Sequence, residues 1–143
     1  MMKKTFFLAF LIFSAFIVHS QTIVGVWKNI DDVTNEAKSH IQVYEQNGKV
    51  YGKVVKFLRA NTDPNRVCSK CTDWRKDQKI MDMMILREMS LNGNTWKGGK
   101  ILDPENGKEY TCTMWFENGK PNELRLRGWM GPFYRTQTWY RVM

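Results

Sequence analysis

Helical periodicity is almost absent from this chain, and so are the residue clusters that most enzyme sites need. Without apolar residues at three-to-four spacing, the segments read as strands, and an all-β domain is the class that remains. Histidine is scarce. Of two in the chain, His19 lies in the N-terminal apolar segment, so only His40 could serve a nucleophilic triad. No Gly-x-Ser-x-Gly or similar nucleophile context accompanies it, which argues against an enzyme. Cysteine is limited to Cys68, Cys71 and Cys112. A closed zinc site needs about four ligands and no second pair matches, so neither metal nor cofactor is expected. Internal repeats and low-complexity segments are missing too.

Acidic residues are in deficit: 22 Lys and Arg face 14 Asp and Glu, a net charge of +8, or +6 once Lys3 and Lys4 are set aside. The bases are spread along strands rather than clustered, so nucleic acid is not an expected partner. A solvated basic surface is the plainer reading, with anionic ligands, lipid headgroups or glycans as the partners it favours.

What is present begins with an address. Lys3 and Lys4 precede an apolar run from Phe6 to Val18, and Val18 and Ser20 are small enough for a cleavage site before Gln21. Residues 1–20 therefore read as a secretory signal peptide. The run is short for a membrane span of ~20 residues. The expected localisation is periplasmic or extracellular, with residues 21–143 forming one domain.

Turn signals then recur at the spacing of a β-meander. Expected strands are Ile23 to Asn29, Ser39 to Glu45, Lys49 to Leu58, Asp82 to Leu91, Thr95 to Leu102, Lys108 to Glu117, Glu123 to Met130 and Arg135 to Val142. Asn47-Gly48 and Asn118-Gly119 are strong turn signals, because both residue types tolerate positive φ. Residues Arg59 to Lys79 break the cadence as one long loop, a feature that is often functional. Eight antiparallel strands lose their edges by closing, first strand against last, into an up-and-down barrel. Trp27 and Arg141 would then be neighbours at a seam. Gly52, Gly98-Gly99 and Gly128 fall inside strands, where they mark bulges or sharp coiling.

Cys68-Ser69-Lys70-Cys71 lies in the long loop rather than at a helix N-terminus, so a local disulfide is the better reading than a redox pair. Cys112 shares an apolar face with Tyr110, Met114 and Phe116 and reads as an inert buried thiol. Asp31-Asp32 reads as turn structure rather than a metal or acid–base pair. The aromatic and arginine residues are the more informative set. Arg125, Arg127 and Trp129 share one parity; Arg135, Gln137, Trp139 and Arg141 share another. Whichever row faces the lumen would offer donors and stacking surfaces, but parity alone does not say which does.

These stretches resemble the bacterial domain-of-unknown-function family numbered 2147. The resemblance rests on Gly25-Val26-Trp27, Asp31-Asp32-Val33-Thr34, Asn47-Gly48-Lys49-Val50-Tyr51-Gly52 and Cys68-Ser69-Lys70-Cys71. It continues through Trp96-Lys97-Gly98-Gly99-Lys100-Ile101-Leu102-Asp103-Pro104, Gly107-Lys108, Arg127-Gly128 and Arg135-Thr136-Gln137-Thr138-Trp139. It implies an exported bacterial protein without an assigned activity, and carries no catalytic residues. Asn35 and Asp82 stand where the family pattern leads one to expect glycine. More loosely, Gly25-x-Trp27 with Arg141 looks like the lipocalin or calycin arrangement, in which such a pair packs at the closed end of a barrel.

The expectation is therefore an exported lipocalin-like barrel that binds a small amphipathic or acidic molecule. Trp27, Tyr44, Arg127, Gln137 and Trp139 are the candidate lining. The alternative is a non-enzymatic cell-envelope module that holds a protein, glycan or membrane surface by peripheral contact. Oligomeric state is not legible in the sequence.

Overall fold

The computed structural model describes residues 21–143. The signal-peptide reading of Met1 to Ser20 lies outside the described residues.

Eight strands follow one another: β1 (Gly25–Ile30), β2 (Ala37–Gln46), β3 (Lys49–Phe57), β4 (Met84–Asn92), β5 (Thr95–Asp103), β6 (Lys108–Phe116), β7 (Glu123–Met130) and β8 (Phe133–Arg141). Each pairs antiparallel with the next, and β1 pairs with β8, so the sheet is a closed barrel. The seam runs Trp27 opposite Arg141, Lys28 opposite Tyr140 and Asn29 opposite Trp139. Closure gives every one of these eight strands a neighbour on both sides, so none is a free edge strand.

Alternation sets what each strand points inward. Ile41 and Val43 on β2, Cys112 and Met114 on β6, and Leu124 and Leu126 on β7 are buried. The residues between them stay at least partly exposed, as a half-buried sheet requires. Register shifts break the ladder at Gly52 and between Trp96 and Gly99. At the second of these, a Cβ on Gly99 would overlap the Arg87 carbonyl and crowd the Met89 sulfur at 2.5 Å. Glycine there lets β4 collapse onto β5 and drive Met89 into the core.

Four strands start two residues away from expectation. β1 starts at Gly25, β2 at Ala37, β8 at Phe133, and β4 only at Met84. The last has a local cause. Asp82 adopts φ 62°, which is incompatible with extended strand, and Asn35 likewise adopts φ 59°. Both departures from glycine thus keep the left-handed backbone, which Asn and Asp tolerate better than other side chains.

One half of the lumen is solid. Trp27 is fully buried, and its indole N–H donates to the Ile23 carbonyl at 2.9 Å. Its ring lies 6.0 Å from Phe116, which in turn meets Trp96 edge-on at 5.7 Å. Arg141 closes this end from outside. Its guanidinium lies 4.2 Å from the Trp27 ring centre and donates to the carbonyls of Thr22 (2.6 Å), Val24 (3.3 Å) and Pro121 (3.3 Å).

The β3–β4 connection is ordered rather than structureless. Val67 bridges Lys79, a disulfide joins Cys68 to Cys71, and both cysteines are buried. The loop packs tightly on the β5–β6 turn, where Gly107 has φ 72° and a Cβ would overlap the Lys70 carbonyl. Gly107→Ala is therefore expected to cost about 1–3 kcal/mol and to loosen this loop. Urea denaturation with limited proteolysis of the loop measures both effects.

Candidate functional site

The other half of the lumen is open. A cavity of about 280 Å³ lies at the end carrying the β1–β2, β3–β4, β5–β6 and β7–β8 connections. Its apolar lining comes from Val54, Phe57, Ile80, Ile85, Ile101 and Leu126. Its polar lining is gathered at the seam. Asn29 on β1 pairs in register with Ser39 on β2 and Trp139 on β8, and all three line the cavity along with Gln137.

Two atoms in this polar strip lack partners. The Trp139 Nε1–H and the Asn29 Oδ1 are both buried and make no hydrogen bond among the described residues. Buried donors and acceptors are nearly always satisfied, and each orphan costs about 1–3 kcal/mol. A donor and an acceptor on adjacent strands of one cavity are what a ligand's polar group would complete. The amide of Asn29 can present either its oxygen or its nitrogen, so the strip can receive a hydroxyl, carboxyl or amide.

Charge surrounds the mouth. Arg59 donates to Asp31 Oδ2 (2.8 Å), Glu36 Oε2 (3.1 Å) and Glu105 Oε1 (2.7 Å), while Lys38 reaches Glu105 Oε2 at 3.2 Å. This network ties the β1–β2 turn to the β5–β6 turn. Backbone N–H donation from Thr34 and Val33 is the main reason the Asp31 carboxyl is lowered to about 2, with Lys38 and Arg59 adding to it. Asp32 pairs with Arg135 and accepts from Gln137 at 3.4 Å. Burial pushes Asp32 up, but the Arg135 hydrogen bond and charge outweigh it and the net direction is down. Arg66 also lines the mouth, 6.0 Å from the Phe57 ring, and is in no ion pair among the described residues. The Asp31-Asp32 pair thus builds the turn and the rim; among the described residues no metal-ligating cluster is found.

The five candidate lining residues divide. Gln137 and Trp139 line the cavity. Trp27 does not: it is packed into the closed end. Tyr44 faces outward and stacks on Tyr51 at 5.9 Å. Arg127 also faces outward, donating to Thr136 and lying 4.4 Å from the Tyr134 ring and 5.2 Å from Trp115. The reason is that β7 spends its inward positions on Leu124, Leu126 and Gly128, so its arginines take the other face. Asn29 and Ser39 escaped sequence reasoning. The available signal was Asn29 two residues beyond Trp27, an amide at an inward position of the first strand.

His40 lies on the outer face between Lys28 and Lys56, and burial together with these lysines lowers its pKa. Cys112 is fully buried, and burial pushes its thiol up to about 12, the opposite of an activated nucleophile.

A closed eight-stranded antiparallel barrel with one plugged end and one hollow end is the lipocalin-like class of fold. The Helicobacter pylori protein HP1028, described as belonging to the lipocalin family, has a similar structure. The two superpose with a TM-score of 0.71 at 16% sequence identity, covering 85% of this chain and 84% of that one. By its sequence, the chain belongs to the family of uncharacterised proteins conserved in bacteria, DUF2147, whose pattern it matches over residues 25–141. Among curated proteins none matches it.

Proposed function

We propose that this protein binds a small amphipathic molecule inside the barrel. The polar group of the ligand is held by Trp139 Nε1 and Asn29, and its apolar body lies against Val54, Ile85, Ile101 and Leu126. The observation that carries this reading is the orphaned donor–acceptor pair at the seam of a cavity whose inner wall is largely apolar. The volume, about 280 Å³, is near the lower end of the ~300–1,000 Å³ range of ligand pockets and suits a short-chain or single-ring compound. Arg66, the base of the mouth that is in no ion pair among the described residues, favours an acidic head over a cationic one. An exported setting, expected from the signal-like sequence of Met1 to Ser20, accords with the Cys68–Cys71 disulfide.

The test uses hexanoate, a short-chain amphipathic anion, titrated by isothermal calorimetry. Wild-type protein is expected to bind it saturably. Ile101→Trp, which fills the cavity, abolishes binding. Trp139→Phe, which removes one donor and keeps an aromatic ring, weakens it about five- to tenfold. Equal binding by wild type and the filled variant would overturn the proposal.

A further inference from the structure

The open end carries an apolar rim that its own core does not use. Phe133 is 78% exposed and Val33 80%, and Trp74 is 62% exposed. Met130 and Tyr134 are also exposed, at 45% and 55%. Scattered surface apolar residues are ordinary, but these sit together. Met130 pairs with Phe133 across the tip of the β7–β8 hairpin, and the Asp32–Arg135 ion pair draws the β1–β2 turn, with Val33, to the base of that hairpin. On the other side, Met130 and Trp74 border the same shallow hollow.

Bases flank the arc. Lys70 and Lys108 border that hollow, Arg66 lines the mouth, and Arg127 lies against Tyr134. None of these four is in an ion pair among the described residues, whereas Asp31, Asp32 and Glu105 at the mouth are paired and Asp103 is its one acid outside any ion pair among the described residues. The uncompensated charge beside the apolar arc is therefore net positive. Exposed Phe, Val and Met tips with an amphipathic Trp and unpaired Lys and Arg are the chemistry that inserts shallowly into anionic lipid. The strands themselves do not span a bilayer, because the outward positions carry Lys28, Lys53, Lys97, Lys100, Arg125 and Arg127, the reverse of a membrane barrel.

We infer that the rim formed by Val33, Trp74, Met130 and Phe133 docks this protein on the surface of an anionic bilayer, with Lys70, Lys108, Arg66 and Arg127 contacting headgroups. Docking sets the cavity mouth against the lipid, a route for an amphipathic ligand to enter without crossing water. The surface assignment stands on the rim alone and is independent of what the cavity holds.

Co-sedimentation of the 21–143 barrel with phospholipid vesicles tests it. Binding is expected to vesicles containing anionic phospholipid, to fall with added salt, and to be much weaker to purely zwitterionic ones. Val33→Ser with Phe133→Ser lowers the partition coefficient about tenfold or more, since each side chain contributes through burial. Both positions are exposed, and an unchanged melting temperature shows that the fold is kept. The cavity-filled Ile101→Trp variant is expected to dock as wild type does, which separates this inference from the ligand proposal. No vesicle binding, equal binding by the rim double variant, or loss of docking on filling the cavity would each overturn it. So would a concentration-dependent dimer abolished by the rim substitutions, which would assign the rim to a second copy of the chain.

Discussion

Trp27→Ala is expected to destabilise the barrel by about 3–5 kcal/mol, a drop on the order of 10–20 °C in melting temperature. Three losses combine. The largest fully buried ring of the closed end disappears, leaving a void beside Phe116. The Ile23 carbonyl loses its indole donor. Arg141 loses the ring it lies over at 4.2 Å, although its carbonyl partners remain. Trp27→Phe helps to separate these contributions, because it keeps an aromatic ring and most of the apolar volume while removing the N–H; it should cost less than half as much. Arg141→Met keeps a long apolar stem but releases three carbonyls and the N-terminal segment. Its expected cost of about 1–3 kcal/mol is therefore intermediate. Urea denaturation of the set measures the order Trp27→Ala, Arg141→Met, Trp27→Phe. A Trp27→Ala cost below about 1 kcal/mol would contradict the account of the plug.

The second large effect is at Glu109. The Arg75 side chain is only 3% exposed and donates to Glu109 Oε2 at 2.6 Å, to Asp73 Oδ2 at 2.6 Å and to the Met84 carbonyl at 3.0 Å. Arg87 holds the other side of Glu109 at 2.7 and 2.9 Å. This network fastens the 58–83 segment to β4 and β6. Glu109→Ala leaves a buried guanidinium short of one carboxylate, and the expected cost is about 3 kcal/mol. Arg75→Met costs less, because Glu109 keeps Arg87 and no buried charge is orphaned.

The same pair carries a pH signature. The Arg87 hydrogen bond, with Arg75 beside it and burial opposing, lowers Glu109 from 4.5 to about 2. A carboxyl whose folded pKa lies below its unfolded one stabilises fully above the unfolded value. That contribution disappears as the pH falls from 4.5 toward 2. Asp31, lowered from 3.8 to about 2, acts in the same sense. Wild-type stability should therefore decline across this acid window, and Glu109→Gln should flatten the decline while lowering stability at neutral pH. An unchanged slope in the variant would remove Glu109 from the explanation.

The candidate site was only partly legible. Gln137 and Trp139 belong to a row that reached the cavity, while Arg127 belongs to a row that did not. Both rows mix long polar and aromatic side chains, so neither is visibly the core face. The 59–79 loop was visible as a break in rhythm, yet its order depends on Arg75, a charged residue buried only because Asp73, Glu109 and the Met84 carbonyl converge on it. Such convergence joins positions far apart in the chain and leaves no local pattern.

Alternation, Asn-Gly turns and glycines at bulge positions by themselves determined that this chain is an eight-stranded antiparallel meander, and edge avoidance closed it. These are local signals, each confined to one strand or one turn. Tertiary structure alone decided which end is solid and which is hollow. It also set Asn29 beside Trp139 and gathered Val33, Trp74 and Phe133 on one rim. The physical reason is closure: strands β1 and β8 come from opposite ends of the chain, and only their register across the seam sets which of their residues meet at the lumen.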